Sequence, residues 1–181
     1  MQRFEAVARS ADTAFVLSAD WKLLRTNDAW KRFALENGGA AVLERWPDDS
    51  SIDGVIPPVL WPFYRAAHER VHATGQHWEH DYECSSADVY RLMHMVVYPV
   101  EADSVLVVSS PVIVRPHTRQ VVSPEAYQHQ SGVIVACCHC RRYRSPSDSS
   151  SWHWVPDFMR DPPPRVSHGL CPACLVHYYP E

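Results

Sequence analysis

The chain lacks any run of about 18 apolar residues, so no membrane-spanning helix is written in it. Its first residues, Met1-Gln2-Arg3-Phe4-Glu5-Ala6, carry acid early and lack the apolar stretch of an export signal. The expected compartment is therefore the cytoplasm. A basic excess is also missing: 17 Lys and Arg stand against 21 Asp and Glu, for a formal net charge of −4. That balance does not suit a polyanion-binding protein. Lysine is scarce, with only Lys22 and Lys31 among the basic residues, and nothing in the composition explains this. Several catalytic signatures are absent. No Ser–His–Asp order, phosphate loop or kinase signature is present, which leaves no hydrolase or transferase supported. Neither Cys-x-x-Cys pair is followed by His, which excludes covalent c-type haem. A thioredoxin-like site needs a strand running into a helix, a context expected at neither pair. The protein is expected to be non-enzymatic.

What is present is ordinary for a soluble globular protein: 46% hydrophobic and 21% charged residues over 181 positions. The length suits one domain plus a module, or two small domains. Charge is uneven. Residues 1–114 carry a net −6 and residues 115–181 a net +2. Six cysteines could form disulfides, but five lie in the last 45 residues in two tight clusters. Without an export signal, such clusters are more often metal ligands than bridges.

Periodicity orders the N-terminal part. Ala14–Ser18 and Lys22–Thr26 read as a hairpin, with Ala19-Asp20 as its turn. Asn27 is a good N-cap, and Ala29, Trp30, Phe33 and Ala34 follow at helical spacing until Asn37-Gly38-Gly39 stops the helix. Residues 46–51 and 57–58 are turn chemistry. A longer helix is expected over Val59–Thr74, with a stripe of Leu60, Tyr64, Ala67 and Val71, ended by Gly75. Strands are expected over 76–84, 89–100 and 104–114, with loops at 85–88 and 101–103. The middle strand is apolar on nearly both faces and should sit centrally.

This order of elements resembles a PAS domain over roughly residues 5–114. The residues that carry the likeness are Asn27-Asp28-Ala29-Trp30, Val71-His72-Ala73-Thr74-Gly75 and Tyr90-Arg91-Leu92-Met93-His94-Met95. Behind it, Arg115-Pro116 breaks the last strand. Ser123-Pro124-Glu125 opens a short helix running to about Gln130. Ser145–Ser151 and Asp161-Pro162-Pro163-Pro164 are loops.

The tail contains Cys137-Cys138-His139-Cys140 and, 30 residues later, Cys171-Pro172-Ala173-Cys174. Two Cys-x-x-Cys knuckles can close a tetrahedron of sulfurs around one Zn²⁺, with Zn–S bonds of about 2.3 Å. The expected ligands are Cys137, Cys140, Cys171 and Cys174. Residues 132–181 contain Trp152, Trp154, Phe158, Leu170, Tyr178 and Tyr179, a modest core, and the segment is too small to fold on burial alone. A structural zinc supplies roughly 10–16 kcal/mol of apparent binding energy to such folds. The tail also resembles a small cysteine-rich module found behind PAS and response-regulator domains in bacteria. Cys137-x-x-Cys140-Arg141-Arg142, Trp154-Val155-Pro156, Ser167–Cys174 and Tyr178-Tyr179-Pro180 carry that likeness. It implies a signalling context and no catalytic role. Cys138 and His139, inside the first pair, depart from the pattern.

Other readings stay open at this point. Cys138 is a neighbour of the site, an alternative ligand or a redox-sensitive thiol. His168 either hydrogen-bonds near the metal or replaces one cysteine. His139 is expected to face solvent. Arg141, Arg142 and Arg144 more simply offset thiolate charge than bind nucleic acid, which is not expected as a partner. His68 and His72 lie one turn apart beside the core stripe, and His94 shares the inward parity of its strand. These invite, but do not require, a haem reading. Cys84 reads as a small apolar residue.

The sequence therefore predicts an α+β protein: a PAS-like sensor domain at 1–114 with a five-stranded antiparallel sheet and flanking helices, a linker at 115–131 and a zinc module at 132–181. The function expected is a cytoplasmic signalling sensor or adaptor. The alternatives are a haem- or flavin-bearing PAS sensor and a zinc-ribbon transcription regulator. With no output domain apparent, it would work through a protein signalling partner or as a homodimer, for which residues 1–12 are candidates. A small molecule in the PAS cavity is a further expected partner.

Overall fold

The computed structural model describes residues 2–52, 54–100, 103–127 and 132–180. Two compact units result: Met1–Asp81 with Met93–Pro111, and Tyr82–Leu92 with Val112–Glu181. In chain order the first elements are α1 (Gln2–Val7), β1 (Thr13–Ser18), β2 (Lys22–Thr26), α2 (Asp28–Glu36), α3 (Ala40–Arg45), β3 (Ser50–Ser51) and α4 (Trp61–Thr74). They are followed by β4 (Trp78–Glu83), β5 (Val89–Val100) and β6 (Ser104–Pro116). The sheet runs β3-β2-β1-β6-β5-β4. This is the α+β, PAS-like order of elements read from the sequence, with one more strand than expected. The extra strand is only Ser50–Ser51, paired to Leu23 and Lys22 from within the segment read as turn chemistry.

Local residues explain the punctuation. Asn27 is buried and fully used: its Oδ1 accepts from the backbone of Trp30 and Ala14, and its Nδ2 donates to the carbonyls of Val7 and Asp12. It thus caps α2 and ties down the start of β1. Gly75, at φ 66°, takes the left-handed turn that ends α4. That helix starts at Trp61 instead of Val59, because the Leu60 and Trp61 N–H groups are first engaged by Pro57 O in a turn. β5 is an inner strand but not the central one. β1 and β6 hold the centre, where β6 buries Ser104–Val107.

One face of the first unit's sheet carries Leu17, Leu23, Val97, Val105 and Val107 with Val71 of α4, and Trp21, Trp46 and Trp78 pack against them. Phe4 of α1 forms a separate cluster with Ala14, Val16 and Leu106. Alternation along β1 and β6 sorts these two sets of residues. Of the loop expected at 101–103, only Asp103 is described, in a left-handed conformation.

The second unit holds β7 (Ile134–Cys137), β8 (Tyr143–Arg144), β9 (Trp152–His153), α5 (Asp157–Arg160), β10 (Val166–Gly169) and α6 (Pro172–Tyr178). Its sheet runs β10-β7-β8-β9, with β10 parallel to β7. The core is small: Tyr127, Ile134, Ala136, Tyr143 and Val155. Tyr127 closes a 3-10 turn, Pro124–Tyr127, and its hydroxyl donates to Tyr143 O at 3.2 Å. Burial pushes that phenol up to about 12. The continuation of this turn to Gln130 lies outside the described residues, as does Met1 of the segment read as a pairing candidate. Among the described residues, no helix is long and apolar enough to cross a membrane.

Candidate metal centre and cavity

A strand, the turn after it and one helix of the second unit deliver the four sulfurs. Cys137 ends β7, Cys140 follows in the tight turn, Cys171 is the N-cap of α6 and Cys174 lies in its first turn. All four are buried, and their Sγ atoms lie within 4.8 Å of one another. Cys140 and Cys171 sulfurs are 3.7 Å apart. Zn–S bonds of about 2.3 Å at tetrahedral angles would set neighbouring sulfurs about 3.8 Å apart. The spacing is far beyond a covalent S–S bond, and all six cysteines are free.

Backbone amides turn toward the sulfurs. Cys171 N–H donates to Cys137 Sγ at 3.4 Å, and Cys174 N–H to Cys171 Sγ at 3.5 Å. The turn closes through Arg141 N–H to Cys137 O, with Arg141 at φ 60°. The thiols crowd enough to perturb one another: Cys137 is held well below the usual thiol range because Cys140, Cys171 and Cys174 donate to it. An all-sulfur donor set of this geometry suits a soft or borderline ion, and zinc above all.

Cys138 and His168 are not part of this group. Cys138 is buried, its N–H donates to Gly169 O, and burial, then the Cys137 charge, pushes its thiol up to about 11. His168 sits exposed on β10, opposite Ala136. His139, expected to face solvent, is 3% exposed. Its Nε2 accepts the backbone N–H of Glu83 at 3.0 Å, its Nδ1 lies 3.0 Å from the Tyr179 hydroxyl, and its ring stacks on Tyr178. The strand-to-helix context of a thioredoxin-like site, expected at neither pair, is present at one of them. A strand does run into a helix at Cys171, from β10 into α6. What separates this site from a lone dithiol is the second cysteine pair beside it.

Two residues that sequence reasoning missed brace the turn. Arg119 donates to Cys140 O at 3.0 Å and to Glu83 Oε2 at 2.7 Å. The side chains of this ion pair are only 13% and 3% exposed. The guanidinium also lies over the rings of Trp154 and Tyr90. Its charge faces a site that four thiolates and one Zn²⁺ would leave net negative. Cys84 is half-buried, and burial raises its thiol.

The first unit contains a cavity of about 260 Å³. Trp21, Leu60, Tyr64, His68, Trp78 and Met95 are among the residues that line it. His68 is therefore in the core face and not merely beside it. Burial, then the neighbouring His72 charge, lowers its pKa. His94 points away: its Nδ1 lies 2.6 Å from Asp81 Oδ1, and its ring is partly exposed. The inward histidine of the haem reading is thus absent at that position.

No family model matches the chain, and no curated protein matches it. Solved structures are similar to part of the chain, and three of them illustrate the likeness. A domain of an HTR-like protein from Haloarcula marismortui is 16% identical with a TM-score of 0.42, covering 57% of this chain and 100% of that one. The PAS domain of an HTR-like protein from the same organism is 17% identical with a TM-score of 0.39, covering 61% and 96%. A domain of a sensory box sensor histidine kinase/response regulator from Geobacter sulfurreducens is 14% identical with a TM-score of 0.41, covering 60% and 90%. At these scores, the fold assignment rests on the strand order itself.

Proposed function

We propose that this chain is a non-enzymatic signalling module in which a PAS-like sensor, residues 1–114, precedes a zinc-stabilised module, residues 132–181. Residues 115–131 join the two along the chain, and Arg119 and Tyr127 within them pack into the second unit. The observation that carries the reading is the buried set of four free sulfurs within 4.8 Å of one another. Cys137, Cys140, Cys171 and Cys174 would hold Zn²⁺, which supplies a crosslink for a unit whose own core is small. Cys138 and His168 are neighbours of the ion and not ligands.

The cavity is the candidate input. Its volume of about 260 Å³ is below the roughly 300–1,000 Å³ of drug-sized ligand sites. An aromatic wall of Trp21, Tyr64 and Trp78 suits a small apolar or single-ring molecule better than haem or flavin. Output passes to a protein partner or a second copy of the chain, in the cytoplasm. The test joins elemental analysis to an absorbance spectrum of untreated protein. One tightly held zinc and no band above 300 nm support the reading; a Soret or flavin band refutes it.

A further inference from the structure

We propose that His68 and His72 form a second metal site, a two-imidazole chelate for a borderline divalent ion such as Zn²⁺, Ni²⁺ or Cu²⁺. The site is independent of the four-sulfur centre, and it does not rest on the signalling reading.

The geometry comes from α4. Residues four apart on a helix project from one face, so His68 and His72 stand one above the other. Their Nε2 atoms are 3.4 Å apart. With metal–nitrogen bonds of about 2.05 Å, that separation corresponds to an N–metal–N angle of about 112°, close to tetrahedral. The ring centroids are 4.5 Å apart, farther than the nitrogens, so both Nε2 edges turn inward toward a common point.

The other side of His68 is also arranged. The ring hydrogen-bonds to the Ser18 backbone. With Nε2 directed at His72, Nδ1 is left to donate to that carbonyl. A carbonyl holding the Nδ1 proton fixes the tautomer that presents an Nε2 lone pair, the usual support of a metal-bound imidazole. Trp21 and Trp61 add rigidity: Trp21 packs on His68 with ring centroids 4.6 Å apart, and Trp61 packs on Trp21 at 4.5 Å. Burial lowers the His68 pKa, which favours the neutral ring that a ligand must be.

Without metal, one Nε2 proton bridges the two rings. On binding, His72 changes tautomer: its Nε2 releases that proton while its Nδ1 takes one up from solvent, so both rings stay neutral and both Nε2 lone pairs face the ion. The stretch His68-Glu69-Arg70-Val71-His72 also matches a His-Glu-x-x-His pattern, in which the glutamate serves zinc hydrolases as general base. Here Glu69 is 70% exposed with Arg65 beside it. Among the described residues no third His, Cys or carboxylate joins the pair. Two protein ligands leave the remaining positions to water. The site is one of binding, weaker than the sulfur centre, and not of hydrolysis.

The test is calorimetric titration of full-length, zinc-loaded protein with Ni²⁺ after dialysis removes loosely held metal. One further equivalent is expected. His72→Gln and His68→Gln should each weaken it by at least about tenfold, while His77→Gln, an exposed control, leaves it intact. His68 is buried and its variant could misfold, so the half-exposed His72 decides, with circular dichroism confirming the fold. Cys171→Ser should lose the tight zinc yet keep the Ni²⁺ equivalent. Failure to bind Ni²⁺, or binding that survives His72→Gln, overturns the proposal.

Discussion

The backbone N–H of Glu83, the last residue of β4, donates to Nε2 of His139 across 3.0 Å, although 56 residues separate the two in sequence. His139 stands between Cys138 and Cys140, so the metal-binding turn and the end of a strand share one hydrogen bond. Arg119 doubles the link by bonding to both Cys140 O and the Glu83 carboxylate. Removing the ion with a strong chelator should therefore loosen more than the tail. Hydrogen exchange is expected to accelerate at residues 132–180 and at the Glu83 amide, while Val105–Val107 stay protected. A Glu83 amide indifferent to chelation would show that His139 is held without the metal.

Arg119→Ala leaves the Glu83 carboxylate buried without its cation. Removing one member of a buried pair costs about 3–5 kcal/mol, far more than a surface pair. Denaturant unfolding should register that loss. The paired change Arg119→Met with Glu83→Leu should recover much of it, since apolar replacements of similar volume often match a buried ion pair. A loss below about 1 kcal/mol for the single variant would place the pair in solvent-like surroundings.

Cys138 and Cys171 should separate cleanly. Cys171→Ser removes a ligand and the sulfur that accepts the Cys174 N–H, so metal content falls and the second unit unfolds. Cys138→Ser keeps full metal content. A thiol buried and pushed up to about 11 is mostly protonated at neutral pH, so alkylation of Cys138 should be slow until the protein is unfolded. Equal metal loss in both variants would reassign the ligands.

Much of this was legible in the sequence, and the reasons differ by residue. Asn27 caps α2 with its own side chain, and Gly38 and Gly75 turn through their own left-handed backbone, which local pattern reports. The cysteine spacing was legible because chelation geometry fixes it. His139 was not: nothing near it in sequence marks it as buried, since its partners Glu83 and Tyr179 lie 56 and 40 residues away. The Arg119–Glu83 pair is equally non-local. β10 is four residues of mixed polarity, Val166-Ser167-His168-Gly169, too short for alternation to reveal the strand that leads into α6. His94 shares its parity with Leu92 and Val96, but Met95 and Val97 supply the core face of β5, so His94 lies on the other face beside Asp81 and Glu79.

Acid should weaken the first unit through His80. Burial among Phe63, Tyr64 and Trp78 lowers its pKa to about 4 from 6.5. Above pH 6.5 the ring is neutral in both folded and unfolded chains and adds no pH dependence. Between pH 6.5 and 4 the unfolded chain takes up the proton first, so stability falls as pH falls. Denaturant midpoints at pH 7 and pH 5 check this. His80→Phe should lose less between those two values than the unaltered protein does. Equal losses would remove His80 as the cause.

The most direct measurement is zinc X-ray absorption on dialysed protein with one metal per chain. Four sulfur scatterers at about 2.3 Å are expected, with no nitrogen in the first shell. A shell containing nitrogen, fewer than four sulfurs, or protein that carries no metal and cysteines bonded to each other would contradict the account.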